Sequence, residues 1–165
     1  YLDYDTELTF DVDDLFYYST HKIMRRDGYF FVNDYGMQIN IKSRYGIKNF
    51  AVLGRDYYFV DGNPYNLRYE NIKIINRYYG VIKRDCKKAP IYTTKIHING
   101  DFIVGHYRSE DVAAIAYNKA VDILREKGIT IQYVKNYLDH LTAEDYKTLY
   151  KKIPISKKIM NYTIP

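Results

Sequence analysis

Apolar and polar positions alternate with period two over Met37-Gln38-Ile39-Asn40-Ile41-Lys42, just after the compact run Tyr29-Phe30-Phe31-Val32. Between them lies Asn33-Asp34-Tyr35-Gly36, a cluster of turn formers, so the pattern predicts a β-hairpin. Asp27-Gly28 punctuates the chain before it, and residues 10–24 read as one short, weakly periodic element. A second strand-like run, Tyr57-Tyr58-Phe59-Val60, enters the turn Asp61-Gly62-Asn63-Pro64 and continues through residues 65–76. No repeat and no Gly/Ser-rich linker interrupts these stretches.

The grammar sharpens from Tyr78 onward. Residues 78–84 read as a strand, 85–90 as a polar turn, 91–98 as a second strand, and 101–107 as a third behind the hairpin signal Asn99-Gly100. Ser109 is placed to cap a helix, with Glu110 and Asp111 at its positive end. Ala113, Ala116, Tyr117, Ala120, Ile123 and Leu124 recur at helical spacing, and Gly128 is a natural stop. Small residues on that stripe let a helix lie close to a sheet. Thr142-Ala143-Glu144-Asp145 resembles a capping box opening a short helix to about Lys152, with Tyr146, Leu149 and Tyr150 as its apolar face. Residues 153–165 are Lys-rich and read as extended. The expected class is α+β, in three parts: an N-terminal region 1–77, a sheet-and-helix domain 78–128, and a C-terminal extension 129–165.

Composition narrows the chemistry. The chain has 165 residues, 47% of them apolar, enough for a packed core but short for a two-domain doubly wound enzyme. Tyrosine supplies 21 residues and tryptophan none. The single Cys86 excludes an intramolecular disulfide and a Cys-rich zinc module. His21, His97, His106 and His140 stand in no metal-ligand spacing, so no metal or other cofactor is expected. No apolar run is long enough to span a membrane and no export signal is visible, which makes a cytoplasmic protein the expectation. Net charge is +5, yet residues 1–20 carry six acids and no Lys or Arg, leaving +11 on the remaining 145 residues. A basic body of that kind suits a polyanion, because neutralised phosphates release condensed counterions.

Two stretches resemble known families. Tyr79-Gly80-Val81, Tyr92 to Asn99-Gly100, Gly105-His106-Tyr107, Ser109-Glu110 and Ala113-Ala114-Ile115-Ala116-Tyr117-Asn118 resemble the Apetala-two/ethylene-response-factor DNA-binding domain. The form they are most similar to is the one carried by bacterial and phage homing endonucleases, and the likeness covers roughly residues 78–127. Upstream, Val60 to Pro64 followed by Glu70-Asn71-Ile72-Lys73-Ile74-Ile75 resembles the core of an HNH nuclease, a ββα unit. That family places a His-His or Asp-His pair before its turn, one member for a divalent cation and one to deprotonate water. Here the positions hold Tyr58 and Phe59, which supply neither a hard-cation ligand nor a base. The family's central Asn falls at Leu67, and its last at Asn71, which with Asp61, Gly62, Asn63 and Pro64 is left as a fold residue. The resemblance therefore implies a degenerate, non-catalytic nuclease core in front of a DNA-binding domain, from a phage or mobile element acting in a bacterial cell.

In the resembled domain the sheet, not the helix, enters the major groove of double-stranded DNA, which admits a β-ribbon. Strand alternation places Tyr92, Thr94, Ile96, Ile98, Phe102 and Val104 under the helix. It leaves Ile82, Arg84, Thr93, Lys95, His97, Asp101 and Ile103 on the opposite face. Arg84, Lys95 and His97 match positions that the family uses for DNA, Thr93 shares their face, and Lys87 and Lys88 on the turn suit phosphates. His106 is expected to be structural, and His140 to lie at the surface. Two functions follow as alternatives: a non-catalytic DNA-binding protein, such as a transcriptional regulator, or a phage inhibitor of a host nuclease of the anti-CRISPR kind. The many tyrosines suit the second, since they make good interface residues.

Overall fold

A computed structural model describes residues 1–49 and 51–165, which divide into two compact units, Tyr1–Arg77 and Tyr78–Pro165.

In the first unit, helix α1 (Val12–Thr20) precedes three antiparallel strands, β1 (Met24–Arg26), β2 (Tyr29–Asp34) and β3 (Met37–Asn40), in spatial order β1-β2-β3. Both connections are two-residue turns with positive φ at each residue, Asp27-Gly28 and Tyr35-Gly36, the primed geometry that matches strand twist. The hairpin expected over 29–42 is present, but its last residues leave the sheet: Ile41–Tyr45 is a 3-10 helix capped by the Asn40 side chain. Strand β4 (Tyr57–Phe59) pairs with β5 (Ile72–Ile74) across a loop held by Asp61 and Asn71. No α-helix follows β5 inside this unit, so the ββα order implied by the nuclease resemblance is not what residues 57–77 form. Phe10, Val32, Ile41, Tyr45, Ile47, Tyr57, Phe59, Leu67 and Ile72 make its core.

The acidic start is built into this unit. Asp14 is buried and its Oδ1 accepts a 2.7 Å bond from Arg44 Nε, while Asp11 Oδ2 accepts the Tyr69 amide at 2.8 Å. The Arg44 guanidinium also lies 4.0 Å from the Tyr17 ring centroid, a cation–π contact.

The second unit is a two-layer sandwich. Strands β6 (Val81–Arg84), β7 (Ile91–His97) and β8 (Asp101–Tyr107) form an antiparallel sheet, and α2 (Glu110–Glu126) covers one face. The alanine stripe brings this helix close, since Ala113, Ala114, Ala116 and Ala120 are all fully buried. Ser109 caps α2 through the Val112 amide, and Gly128 closes it at φ 90°. Helix α3 (Ala143–Lys152), capped by Thr142, packs on α2 through Tyr146, Leu149 and Tyr150.

Residues 129–165 pack on this same core. Asn118 and Asn136 exchange two bonds, Nδ2 to the Asn136 carbonyl at 2.8 Å and the Asn136 amide to Oδ1 at 2.7 Å. Asn136 in turn accepts from the Tyr79 amide and donates to the Tyr79 carbonyl, tying an irregular segment to the head of β6. The extended tail expected from Ile153 onward is corrected: Lys157–Met160 is a short helix, α4, with Ile153 and Ile159 buried against α2 and β8. The Ser156 amide and hydroxyl donate to the carbonyls of Val104 and Ile103, each at 2.9 Å, so the tail occupies hydrogen-bonding groups of the edge strand.

Candidate nucleic-acid interface

The sheet of the second unit has one face under α2 and one face open. Cross-strand register identifies the open face, because directly opposed residues share a side. Its rows are Ile82–Thr93–His106, Arg84–Ile91, Lys95–Ile103 and His97–Asp101.

A β-bulge sets that arrangement. Thr94 pairs with Gly105 but Lys95 pairs with Ile103, so Val104 is the extra residue on β8. Strict alternation from Phe102 would turn His106 toward the helix and Tyr107 outward. The bulge reverses both: His106 is exposed on the open face, and Tyr107 is buried with its hydroxyl donating to the Pro154 carbonyl at 2.7 Å. Arg108, one residue past β8, is exposed. Reading the strand with uniform alternation missed His106 as a member of this face. The available signal was Gly105, whose added Cβ would lie 2.6 Å from Tyr107 Cζ and so marks the irregularity.

Arg84, Lys87 and Lys88 are exposed and Lys95 is half-buried, and among the described residues none of the four faces a carboxylate within ion-pair distance. Lys87 and Lys88 lie on the β6–β7 turn beside the exposed Cys86. His97 Nδ1 stands 3.0 Å from Asp101 Oδ1, which engages the one acid of the face. Thr93 departs from the expectation. It lies on the open side of the central strand but is fully buried, with Oγ1 2.9 Å from His106 Nδ1. His106, not Thr93, is therefore the polar group presented in that row.

The matched nuclease positions do not form a site. Tyr58 and Phe59 are successive residues of β4 and point to opposite sides, Tyr58 to solvent and Phe59 into the core against Tyr57. Asn71 is buried, accepting the Asp61 amide and donating to the Asn66 carbonyl, which is the work of a loop clasp. Asp61, held below the usual carboxylate range first by Asn66 and then by the Asn63 amide, belongs to the same clasp. Among the described residues no group of three or more His, Cys, Asp and Glu could hold a metal ion, and no helix is long and apolar enough to cross a membrane. His140 is exposed and paired with Asp111 Oδ2 at 2.8 Å, which raises its pKa above the ordinary histidine value.

No family model matches the chain, and no curated protein or solved structure is significantly similar to it.

Proposed function

We propose that the second unit binds double-stranded DNA, laying the open face of β6-β7-β8 into the major groove, and that the protein is a non-catalytic DNA-binding protein. The observation that carries this reading is an uncovered three-stranded face bearing Arg84, Lys95 and His106 whose one acid, Asp101, is engaged by His97. Three strands spaced about 4.8 Å apart make a ribbon about 10 Å across, which fits a groove about 12 Å wide. Arg84 presents the fork that reads guanine edges, and Lys87 and Lys88 on the adjoining turn meet phosphates. The unit carries 15 basic and nine acidic residues, which favours association with a polyanion.

Fluorescence anisotropy with a random-pool duplex at two salt concentrations, with and without Mg²⁺, tests it. Salt-sensitive binding without cleavage is expected, with Arg84→Ala and Lys95→Ala each costing about 1–3 kcal/mol if they read bases. Absence of binding at low salt would refute the reading.

One observation favours the inhibitor reading: Val12, Leu15 and Phe16 form an exposed apolar stripe on α1, flanked by Asp11 and Asp13. An acidic, apolar face is complementary to the basic surface of a host nuclease. Inhibition of such a nuclease that is lost on Phe16→Asp, with duplex binding retained, would assign that role to the first unit.

A further inference from the structure

We propose that the first unit carries a separate site, a stacking platform for unpaired nucleic-acid bases on the open face of β1-β2-β3. The inference uses no residue of the duplex-binding face and stands whether or not that face binds DNA.

The register divides the sheet cleanly. Phe30, Val32 and Asp34 of β2 share one face with Arg25 of β1 and with Ile39 and Met37 of β3. Apart from the exposed Met37 at its end, that face is covered: Val32 is in the core with Ile39 packed against it, Phe30 meets Tyr65, Arg25 lies over Phe30, and Asp34 accepts the Tyr17 hydroxyl of α1. The other face carries Tyr29, Phe31 and Asn33 on the central strand, Arg26 opposite Tyr29, Met24 opposite Phe31, and Asn40 and Gln38 on β3.

Neither Tyr29 nor Phe31 belongs to the core or packs against it. Tyr29 is 56% exposed and Phe31 half-buried, and their ring centroids are 6.3 Å apart with the planes tilted by 51°. Two rings at alternate positions of a central strand, on an uncovered sheet, offer successive π-faces to successive bases. In a duplex those base faces are already stacked on their neighbours, so the ligand is single-stranded. Arg26 supplies charge beside the rings, and Lys22 lies just before the strand. Asn33 and Gln38, both exposed, can donate and accept at base edges. The acid of these strands, Asp34, is turned to the covered face.

The test uses the full chain, fluorescein-labelled dT12 and rU12, and an excess of unlabelled duplex to occupy any duplex-binding surface. Saturable oligonucleotide binding that survives the duplex is expected, and the two probes show whether DNA or RNA is the source. Tyr29→Ala should weaken it about tenfold, the loss of one stacked base, while Tyr29→Phe keeps the ring and restores near wild-type affinity. Tyr29 is exposed outside the core, so an unchanged circular dichroism spectrum serves as the folding control. Absence of binding, complete displacement by duplex, or equal affinity in Tyr29→Ala would overturn the proposal.

Discussion

Gly80→Ala offers a quantitative test of how the second unit holds its binding face. Gly80 sits at φ +72°, a conformation that costs an L-residue roughly 1–2 kcal/mol. A Cβ there would also stand 2.5 Å from the Lys95 carbonyl oxygen and 2.6 Å from Cε2 of Tyr117. Neither neighbour yields easily. Lys95 is tied back through its amide to the Gly80 carbonyl at 2.8 Å, and the buried Tyr117 ring has its phenol pKa pushed up to about 12 by that burial. Overpacking of this kind adds about 1–3 kcal/mol, giving a loss of about 3 kcal/mol in all. For a unit of this size the melting temperature should fall by about 12–24 °C. The loss is read from the methyl resonances of Ala113, Ala116 and Ala120 during heating, which report this unit alone. Gly100→Ala is the matched control, because nothing lies within 4 Å of an added Cβ and its φ is not positive. A fall below about 4 °C for Gly80→Ala, or an equal fall for Gly100→Ala, would show that β6 and β7 are not locked as described.

Three further outcomes follow from other contacts. Arg44→Met leaves the Asp14 carboxylate buried without its 2.7 Å partner and should destabilise the first unit by about 3 kcal/mol; adding Asp14→Asn should recover part of that loss, as denaturant titration of both variants would show. His140 should titrate above its ordinary value of about 6.5, and Asp111→Asn should bring it part of the way back, with Asp139 still nearby, both followed by ring-proton NMR. Because the folded-state pKa is raised, whatever stability the His140–Asp111 pair contributes is full below the unfolded value and disappears as pH rises through the folded one. Ser156→Ala removes the hydroxyl bond to Ile103 and should speed amide exchange in α4, with little change across α1.

Much of the fold was legible because its signals are local. Asn99-Gly100, the Ser109 cap, the alanine stripe and the Thr142 cap each rest on neighbours within a few residues, and each element stands where those signals place it. The tail was not legible. Ile153 and Ile159 look unpatterned in a Lys-rich sequence, and what orders them is distant: the Ser156 bonds to β8 and the apolar surface of α2. The place of the acidic start was not legible for the same reason, since the role of Asp14 depends on Arg44, 30 positions away.

The candidate site depended on a single register shift. Arg84 and Lys95 could be assigned by counting in twos, because each is reached along a regular strand. His106 could not, because Val104 adds one residue to β8 and inverts the side chains that follow it along the strand. The inversion has a cause within the packing. It lets Val104 remain buried beside the helix while delivering Tyr107 to the core, where its hydroxyl meets Pro154, and His106 between them is turned outward as a consequence. Thus a core requirement on one side of the sheet determines which bases line the other. A substitution that removed the bulge would have to expose Tyr107 and bury His106, and so would alter both the stability of the unit and the chemistry of its open face.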